Sequence, residues 1–486
     1  MQQGAETARF VQGSTMRHVV VMAGTGAIGL IAVFAVDLLN LFYLSLLGEP
    51  RIVAAVGFAG AVGFFQLSLA IGLTIGVGAV VSRCIGAGAR DDARRIATSS
   101  LLVVMASTAV IGVGTVVLVG PILDLLGASE PTRALAAGFL DIVSPALPLV
   151  AGGMCSSALL RSVGDARHAL NVTLFAAIAA GVLDPILIFA LHLGLTGAAI
   201  STVLSRTVLF LTGWSGITGK HDLLGKVRLR AILPDMRLVF RVAGPAILTS
   251  LATPVASAYV THCMARFGTE AVAGQASIDR LVPVAFGLVF ALSGAVGPIL
   301  AQNLGAARPD RVRTALRDSL IFVVVAVCGA WLLLYLAQDV ILIVLSAHGE
   351  AATLVRLFCT WLAGSFLFIG ALFVANAAFN NLGFPLLSTV FNWGRATLGT
   401  IPLVMIGQDY GPVGVLTGSA VGSIAFGVAA ALVAFRVVGR LDVRPPEMQH
   451  APAAVSGGSG TAALAALTAR PTAAGAPAAG GPHATG

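Results

Sequence analysis

Long apolar runs recur along almost the whole of this 486-residue chain. Each run is about 20 residues or longer, which is what a helix needs to cross about 30 Å of hydrocarbon. Membrane-barrel strands are shorter and alternate apolar with polar residues, so the runs predict helices. Only 10% of the residues are charged, well below the roughly 25% of a soluble domain. The chain is therefore predicted to be an all-α integral membrane protein.

The runs predict twelve transmembrane helices in two sets of six. They lie near residues 18–46, 52–82, 98–126, 134–160, 168–192 and 196–218, and near 239–265, 271–301, 315–345, 352–380, 385–406 and 411–437. These sets define an N-lobe, 18–218, and a C-lobe, 239–438, joined by a polar linker, 219–238. The tail, 439–486, is rich in Ala, Gly and Pro. It has too little large apolar surface to offset its ordering entropy, so we expect it to be disordered.

Basic residues predict the orientation. With the N-terminus 1–17, the even-numbered loops and the C-terminus on one side, that side holds 22 of the 29 Lys and Arg residues. The positive-inside rule then places both termini in the cytoplasm. We expect a multi-pass protein of the plasma (inner) membrane. The N-terminus has no pattern typical of cleavage, so we expect the first helix to be retained.

The sequence also repeats itself at an offset of 219 residues. Three pairs share that offset: Gly78 and Gly297, Gly86 and Gly305, and Asp91 and Asp310. Six helices per half return each half to the side where it began, so the repeats are predicted to be parallel, with their axis along the membrane normal. This architecture suits two lobes that rock about a central cavity.

The sequence lacks the motifs that are typical of several other function classes. The net charge of +8 is spread over short clusters between the apolar runs, which is typical of topology signals and not of a nucleic-acid surface. The five cysteines are scattered singly, and no spacing predicts a metal site. The chain has no phosphate-binding loop with its Lys, no HExxH pair and no nucleophile elbow. We therefore expect no enzyme activity and no cofactor.

A set of short motifs resembles the MATE (multidrug and toxic compound extrusion) family, in particular its DinF-type branch. The motifs are Val36-Asp37, Leu47-Gly48 and Val53–Gly57, then Val81–Gly88, and finally Leu160–Asp165, Leu183–Pro185 and Gly194–Ala199. The similarity extends over roughly residues 18–438. It implies a two-lobed antiporter that exports organic, usually amphipathic and cationic, compounds against an inward proton or sodium gradient.

The resemblance also implies that acidic residues of the N-lobe handle the coupling ion. Asp37 and Asp184 occupy the matching positions. Ala180 stands where the branch often has an asparagine, which favours protons over sodium because a polar ligand is missing. Thr25 stands where the branch has a proline, so bending of the first helix would depend on the glycines beside it.

The residues themselves support these roles. An ionised Asp37 in a membrane helix is costly unless it is paired, hydrated or protonated; the alternative is a structural carboxylate. Pro185 frees the carbonyl of Gly181, so Asp184 lies at a predicted bend that suits a cation or a proton; the alternative is a helix-end aspartate exposed to water. Thr202 is a weaker candidate, since hydroxyls in membrane helices usually bond their own backbone.

Further polar residues within the predicted spans are weaker candidates for the substrate cavity: Asp279, Arg280, Asn376 and Arg395. The expected partners are a small organic substrate and membrane lipids, and the chain is expected to act as a monomer. Two alternatives stay open at this point. One is a lipid-linked oligosaccharide flippase of the same superfamily, and the other is a lipid-modifying membrane enzyme.

Overall fold

Twelve membrane-spanning helices, with a short helix Val119–Leu125 between the third and the fourth, follow one another in the computed structural model, which describes residues 8–345 and 347–441. In the N-lobe they are α1 (Thr15–Ser45), α2 (Pro50–Gly86), α3 (Arg90–Val117), α4 (Thr132–Ser162), α5 (Ala166–Ala190) and α6 (Gly194–Lys220). In the C-lobe they are α7 (Leu229–Phe267), α8 (Thr269–Ala285 and Gly287–Gly305), α9 (Pro309–Val344), α10 (Gly349–Thr360 and Leu362–Leu382), α11 (Pro385–Gly394 and Ile401–Gly407) and α12 (Gly411–Gly439). The described residues contain no strand, so the predicted fold class is confirmed.

The last two helices form one continuous apolar segment, Pro385–Gly439, so length and composition alone distinguish 11 segments in the described part of the chain. The segment turns back at Gly411, whose φ is 74°. A Cβ on Gly407 would lie 2.2 Å from the carbonyl oxygen of Gly414, and one on Gly418 would lie 2.3 Å from that of Leu403. The two backbones therefore touch as an antiparallel pair, and the count of twelve spans is confirmed.

The linker is shorter than the sequence indicated. We expected it to cover 219–238, but α6 continues to Lys220 and α7 already begins at Leu229. The early turns of α7 pack against α3: the Asp235 carboxylate lies 3.2 Å from an Arg95 nitrogen and accepts a 2.8 Å hydrogen bond from Ser99. The predicted disordered tail begins at residue 439, and 442–486 of it lie outside the described residues.

The turns that join α2 to α3, α4 to α5, α6 to α7 and α8 to α9 share one face with residues 9–13, which precede α1. This face is hereafter the N-terminal face. Asp165 in the α4–α5 turn bonds His221 at 2.7 Å and Lys220 at 3.0 Å. Burial raises the pKa of Asp165, but hydrogen bonds from His221, His168 and Lys220 outweigh burial, and the pKa lies well below its usual value. The ionised carboxylate thus ties two turns together.

α2 and α8 cross on the N-terminal face in a reciprocal contact. A Cβ on Gly86 would lie 2.1 Å from the carbonyl oxygen of Gln302, and one on Gly305 would lie 2.2 Å from that of Arg83. Both pairs of equivalent residues, Gly86 with Gly305 and Arg83 with Gln302, are separated by the repeat offset of 219. Each helix therefore makes the same contact with the other, as a parallel two-fold repeat requires, and the predicted repeat is confirmed.

The first helix of each lobe packs against the other lobe near this face. A Cβ on Gly26 of α1 would lie 3.2 Å from the Cβ of Ala291 in α8, and one on Gly72 of α2 would lie 2.6 Å from the nitrogen of Ile247 in α7. α7 contacts its own lobe at the same level, since Trp393 of α11 donates a 2.9 Å hydrogen bond to the carbonyl of Leu248. The lobes are thus interlocked on the N-terminal face.

The segment that precedes α1 fills the seam between the lobes. Phe10 is 1% exposed, and its N–H donates a 2.9 Å hydrogen bond to Gln302 of the C-lobe. Arg311 donates a 3.0 Å hydrogen bond to the Phe10 carbonyl, while Arg9 donates a 2.9 Å hydrogen bond to Gly164 of the N-lobe. Residues 9–13, hereafter the N-terminal segment, therefore help to hold the lobes together on this face.

The reciprocal glycine contact yields a prediction. Gly86→Ala and Gly305→Ala should each push the lobes apart, because the added Cβ meets a backbone carbonyl that cannot rotate away. Overpacking of this kind costs about 1–3 kcal/mol. Thermal unfolding in detergent should occur at lower temperature, and spin labels on Ala89→Cys and Ala306→Cys should report a longer distance.

The control is Gly57→Ala, which lies on the same helix as Gly86 with nothing within 4 Å of its added Cβ. It should leave both the melting temperature and the label distance unchanged. An unchanged label distance in both Gly86→Ala and Gly305→Ala would contradict the tight reciprocal contact.

Candidate coupling and substrate clefts

Away from the N-terminal face, two clefts open between the lobes. The first, the α1/α8 cleft, has a volume of about 260 Å³. Its lining residues are Phe34, Asp37, Leu38 and Leu41 of α1 and Asp279, Arg280 and Pro283 of α8. The α1 residues recur at helical spacing, so they share one face of that helix. This cleft brings together one predicted coupling residue, Asp37, and two predicted cavity residues, Asp279 and Arg280.

The charges in the α1/α8 cleft have different surroundings. Asp279 accepts hydrogen bonds of 3.1 and 3.2 Å from the Gln275 amide, one turn earlier in α8. Arg280 is exposed to the cleft and forms no ion pair among the residues that the structure describes. Asp37 is likewise exposed. When both carboxylates are ionised, the cleft carries one negative charge, and protonation of one carboxylate makes it neutral.

Asp184 lies behind α1, outside the cleft lining. It is 2% exposed and accepts a 2.8 Å hydrogen bond from the side-chain amide of Asn40. α5 does not end at Asp184: after Pro185 it widens into a π-helical turn, Ile186–Ala190, as expected where proline interrupts the hydrogen-bond ladder. The alternative of a water-exposed helix-end aspartate is therefore wrong.

Asn40 is the residue that sequence reasoning missed. It follows Asp37 by three positions on α1, so the two side chains lie within one helical turn. The resemblance implies an asparagine on α5, where this chain has Ala180, and it indicates no other source of an amide. The structure provides the amide from the neighbouring helix. A polar residue one turn after an intramembrane aspartate was the available signal.

Thr202 is not brought into this arrangement through its hydroxyl. The hydroxyl donates a 2.9 Å hydrogen bond to the carbonyl of Ala198, one turn earlier in α6. This local bond is common for threonines in membrane helices. The geometry thus connects Asp37 with Asn40 and Asp184 through α1, while Thr202 bonds within α6.

The two C-lobe candidates lie apart from the α1/α8 cleft. Asn376 accepts a 3.0 Å hydrogen bond from Asn392, so it belongs to a polar network between α10 and α11. Arg395 donates a 3.3 Å hydrogen bond to Thr253 of α7. Its buried Nε atom has no partner among the described residues. Of these two residues, only Arg395 reaches a residue of the second cleft.

That second cleft, the α2/α7 cleft, has a volume of about 680 Å³. Its lining residues are Phe64 of α2 and Thr253, Pro254, Ser257, Ala258, Thr261, His262 and Ala265 of α7. The two clefts are counterparts in the repeat, since Thr253, Ser257 and Phe64 are each 219 positions from Phe34, Leu38 and Pro283. The position equivalent to Asp37 is Ala256, and those equivalent to Asp279 and Arg280 are Gly60 and Ala61. Equivalent backbones therefore line one charged cleft and one without carboxylates.

Comparisons with a family profile, with relatives and with solved structures point to the same family. The sequence profile of the MatE family matches residues 26–186 and 245–406. A protein named FAD transporter from Shewanella oneidensis is 30% identical over 421 residues, which cover 84% of this chain and 92% of that one. The multidrug export protein MepA of Staphylococcus haemolyticus is 25% identical over 60% of this chain and 64% of its own. The crystal structure of the Vibrio cholerae MATE transporter VcmN in its bent form superposes with a TM-score of 0.82 at 23% identity, covering 87% of this chain and 97% of that one.

The amide bond to Asp184 can be tested with a double-mutant cycle. Asn40→Ala should destabilise the protein by about 1–3 kcal/mol, because it leaves a buried acceptor without its partner. The effects of Asn40→Ala and Asp184→Ala on thermal unfolding in detergent should be clearly non-additive. The control pair is Asn40→Ala with Thr202→Val, whose effects should add because Thr202 bonds within α6. Additive effects for the first pair would mean that the amide does not act on Asp184.

Proposed function

Because this chain belongs to the MATE family of multi-pass membrane transporters, we propose that it exports small organic compounds in exchange for protons by alternating access. The family's members are transporters, so the alternative of a lipid-modifying enzyme is excluded. The observation that carries the proposal is Asp37, a carboxylate exposed in a cleft between two lobes that are joined at the opposite face. We propose that the N-terminal face is cytoplasmic, as its basic residues predict.

The α1/α8 cleft suits an exchange of a proton for an organic cation. With Asp37 and Asp279 ionised and Arg280 charged, its net charge of minus one attracts a cation, while Phe34 and Leu38 offer apolar surface to an amphipathic one. Protonation of Asp37 makes the cleft neutral and removes that attraction. Proton and substrate then exclude one another at a single carboxylate, which prevents an uncoupled leak.

Asp184 and Asn40 position this carboxylate. The Asn40 amide links α1 to α5 within one turn of Asp37, so movement of α1 relative to α5 alters the surroundings of both aspartates. We assign Asp184 a positioning role, because it is buried and lies outside the cleft lining.

Protons are favoured over sodium as the coupling ion. A sodium site needs several oxygen ligands in one shell, and Ala180 supplies no ligand where the DinF-type branch often has an asparagine. Protonation of Asp37 needs no such shell. A single chain supplies both lobes and both clefts, so we propose that the transport unit is a monomer. We also propose that the DinF-type assignment holds, because Asp37 and Asp184 occupy the positions that the resemblance implies.

A second candidate substrate class is the aromatic anion. The FAD transporter of Shewanella oneidensis, which is 30% identical, is named for such a compound. In this chain the α2/α7 cleft has no lining carboxylate, and the Arg395 guanidinium lies 3.3 Å from one of its hydroxyls. The two clefts therefore offer opposite charges to a substrate.

The proton-coupling proposal predicts the effect of Asp37→Asn. In everted membrane vesicles, an acid interior should drive ethidium uptake by the wild type and not by Asp37→Asn, since an amide cannot load a proton. Because an ionised partner is lost, ethidium affinity should fall about tenfold, which corresponds to ~1.4 kcal/mol. Asp339→Asn is the control: this carboxylate pairs with Arg356 on the exposed surface and should be dispensable for uptake.

The same vesicles distinguish coupling to protons from coupling to sodium. Uptake driven by a sodium gradient at constant pH would overturn proton coupling. Proton-driven uptake that persists in Asp37→Asn would overturn the assignment of this residue while leaving the family unchanged.

A further inference from the structure

We propose that the α2/α7 cleft is a second substrate site, distinct from the α1/α8 cleft, and that it binds planar aromatic anions with Arg395 as the countercharge. This inference rests on the second substrate class proposed above and assigns that class to residues. It does not depend on proton coupling, because binding to this cleft can be measured without a gradient.

The lining of the α2/α7 cleft suits a planar, oxygen-rich compound. Its volume of about 680 Å³ lies within the roughly 300–1,000 Å³ typical of sites for small organic ligands. Thr253, Ser257 and Thr261 follow one another at intervals of four residues, so their hydroxyls form a row along one face of α7. Phe64 of α2 lines the same cleft and offers an aromatic face to a planar ligand. An aromatic ring is thus accommodated beside a row of hydrogen-bonding groups.

The charge around this cleft favours an anion. None of its lining residues is a carboxylate, and His262 is the one lining residue that can gain a positive charge. Arg395 forms no ion pair among the described residues, and its buried Nε is unpartnered there. An unpaired guanidinium in a membrane protein is costly, and a ligand carboxylate or phosphate is the partner that would reduce this cost.

Thr253 transmits the influence of Arg395 to the cleft. Its hydroxyl oxygen accepts the hydrogen bond from the guanidinium, so its own hydrogen is free to donate to a ligand. The hydroxyl is polarised by the positive charge behind it, which strengthens that second hydrogen bond. Thr253 is therefore assigned a direct contact with the anion, and Arg395 the charge that favours it.

The first test measures binding to the purified full chain in detergent, by fluorescence, with three probes: flavin mononucleotide as anion, riboflavin as its neutral counterpart, and ethidium as cation. Arg395→Gln should weaken binding of flavin mononucleotide about tenfold or more, since it removes the positive charge that favours the anion and polarises the Thr253 hydroxyl. It should affect riboflavin much less and ethidium not at all. Arg395→Lys should retain part of the affinity and exclude misfolding as the cause.

The control is Arg356→Gln, which removes an exposed guanidinium paired with Asp339 and should leave all three affinities unchanged. If the wild type fails to bind flavin mononucleotide, or if Arg395→Gln weakens flavin mononucleotide and riboflavin equally, the proposal is wrong. Asp37→Asn should bind flavin mononucleotide normally, so failure of the coupling proposal and failure of this one give different results.

The second test locates the ligand. Cys328 is the exposed cysteine of the described residues, and the other four are buried. Cys328→Ser therefore removes the native thiol that would react with maleimide. In it, Ser257→Cys places a thiol in the α2/α7 cleft, and Leu38→Cys places one at the equivalent position of the α1/α8 cleft. Flavin mononucleotide should slow maleimide labelling of the first thiol only, and ethidium that of the second only. Protection of both thiols by both compounds would show one shared cavity and overturn the two-site proposal.

Discussion

The arrangement of the molecule depends on the close approach of two backbones, where Gly86 and Gly305 each meet a carbonyl of the opposite helix. In hydrocarbon, helices gain nothing from hiding apolar surface, because lipid is equally apolar, so packing relies on small residues that let backbones touch. Here the contact is made twice by the repeat and lies at one membrane face. It fixes the lobes to each other at that face and leaves space between them at the other, where both clefts are found.

A symmetric scaffold does not impose symmetric chemistry. Phe34 and Thr253 occupy equivalent positions, as do Leu38 and Ser257, yet one cleft carries two carboxylates and a guanidinium while the other presents hydroxyls and a histidine. Side chains that face a cavity are not constrained by packing against a neighbouring helix. The repeat therefore preserves the glycine contacts that determine helix crossing and lets the cleft linings diverge.

Much of this structure was predictable from the sequence, and the reasons for success and failure are physical. The twelve spans follow from the lengths of the apolar runs, and the parallel repeat follows from glycines at a constant offset. Both can be read from the sequence without knowing which helices are in contact. Asp37, Asp279 and Arg280 were each predicted as candidates, but their meeting in one cleft was not. They lie on helices of different lobes, and the packing of the lobes brings them together. The Asn40–Asp184 bond was missed for the same reason: an amide expected on α5 is supplied by α1. The early start of α7 was missed because a charged, proline-containing stretch looks like a linker until its partners on α3 are known.

α1 runs without interruption from Thr15 to Ser45, with Thr25 where the DinF-type branch has a proline that would kink the helix. At 1.5 Å per residue, about 33 Å separates Thr15 from Asp37 along the axis. One end of this rod carries the N-terminal segment in the seam between the lobes, and the other carries the carboxylate in the cleft. Because the helix is continuous, a shift or rotation of α1 at one end displaces the residues at its other end. Under the proposed coupling, protonation of Asp37 in the cleft is therefore transmitted to the opposite face, because the carboxylate and the N-terminal segment in the seam are held by the same helix.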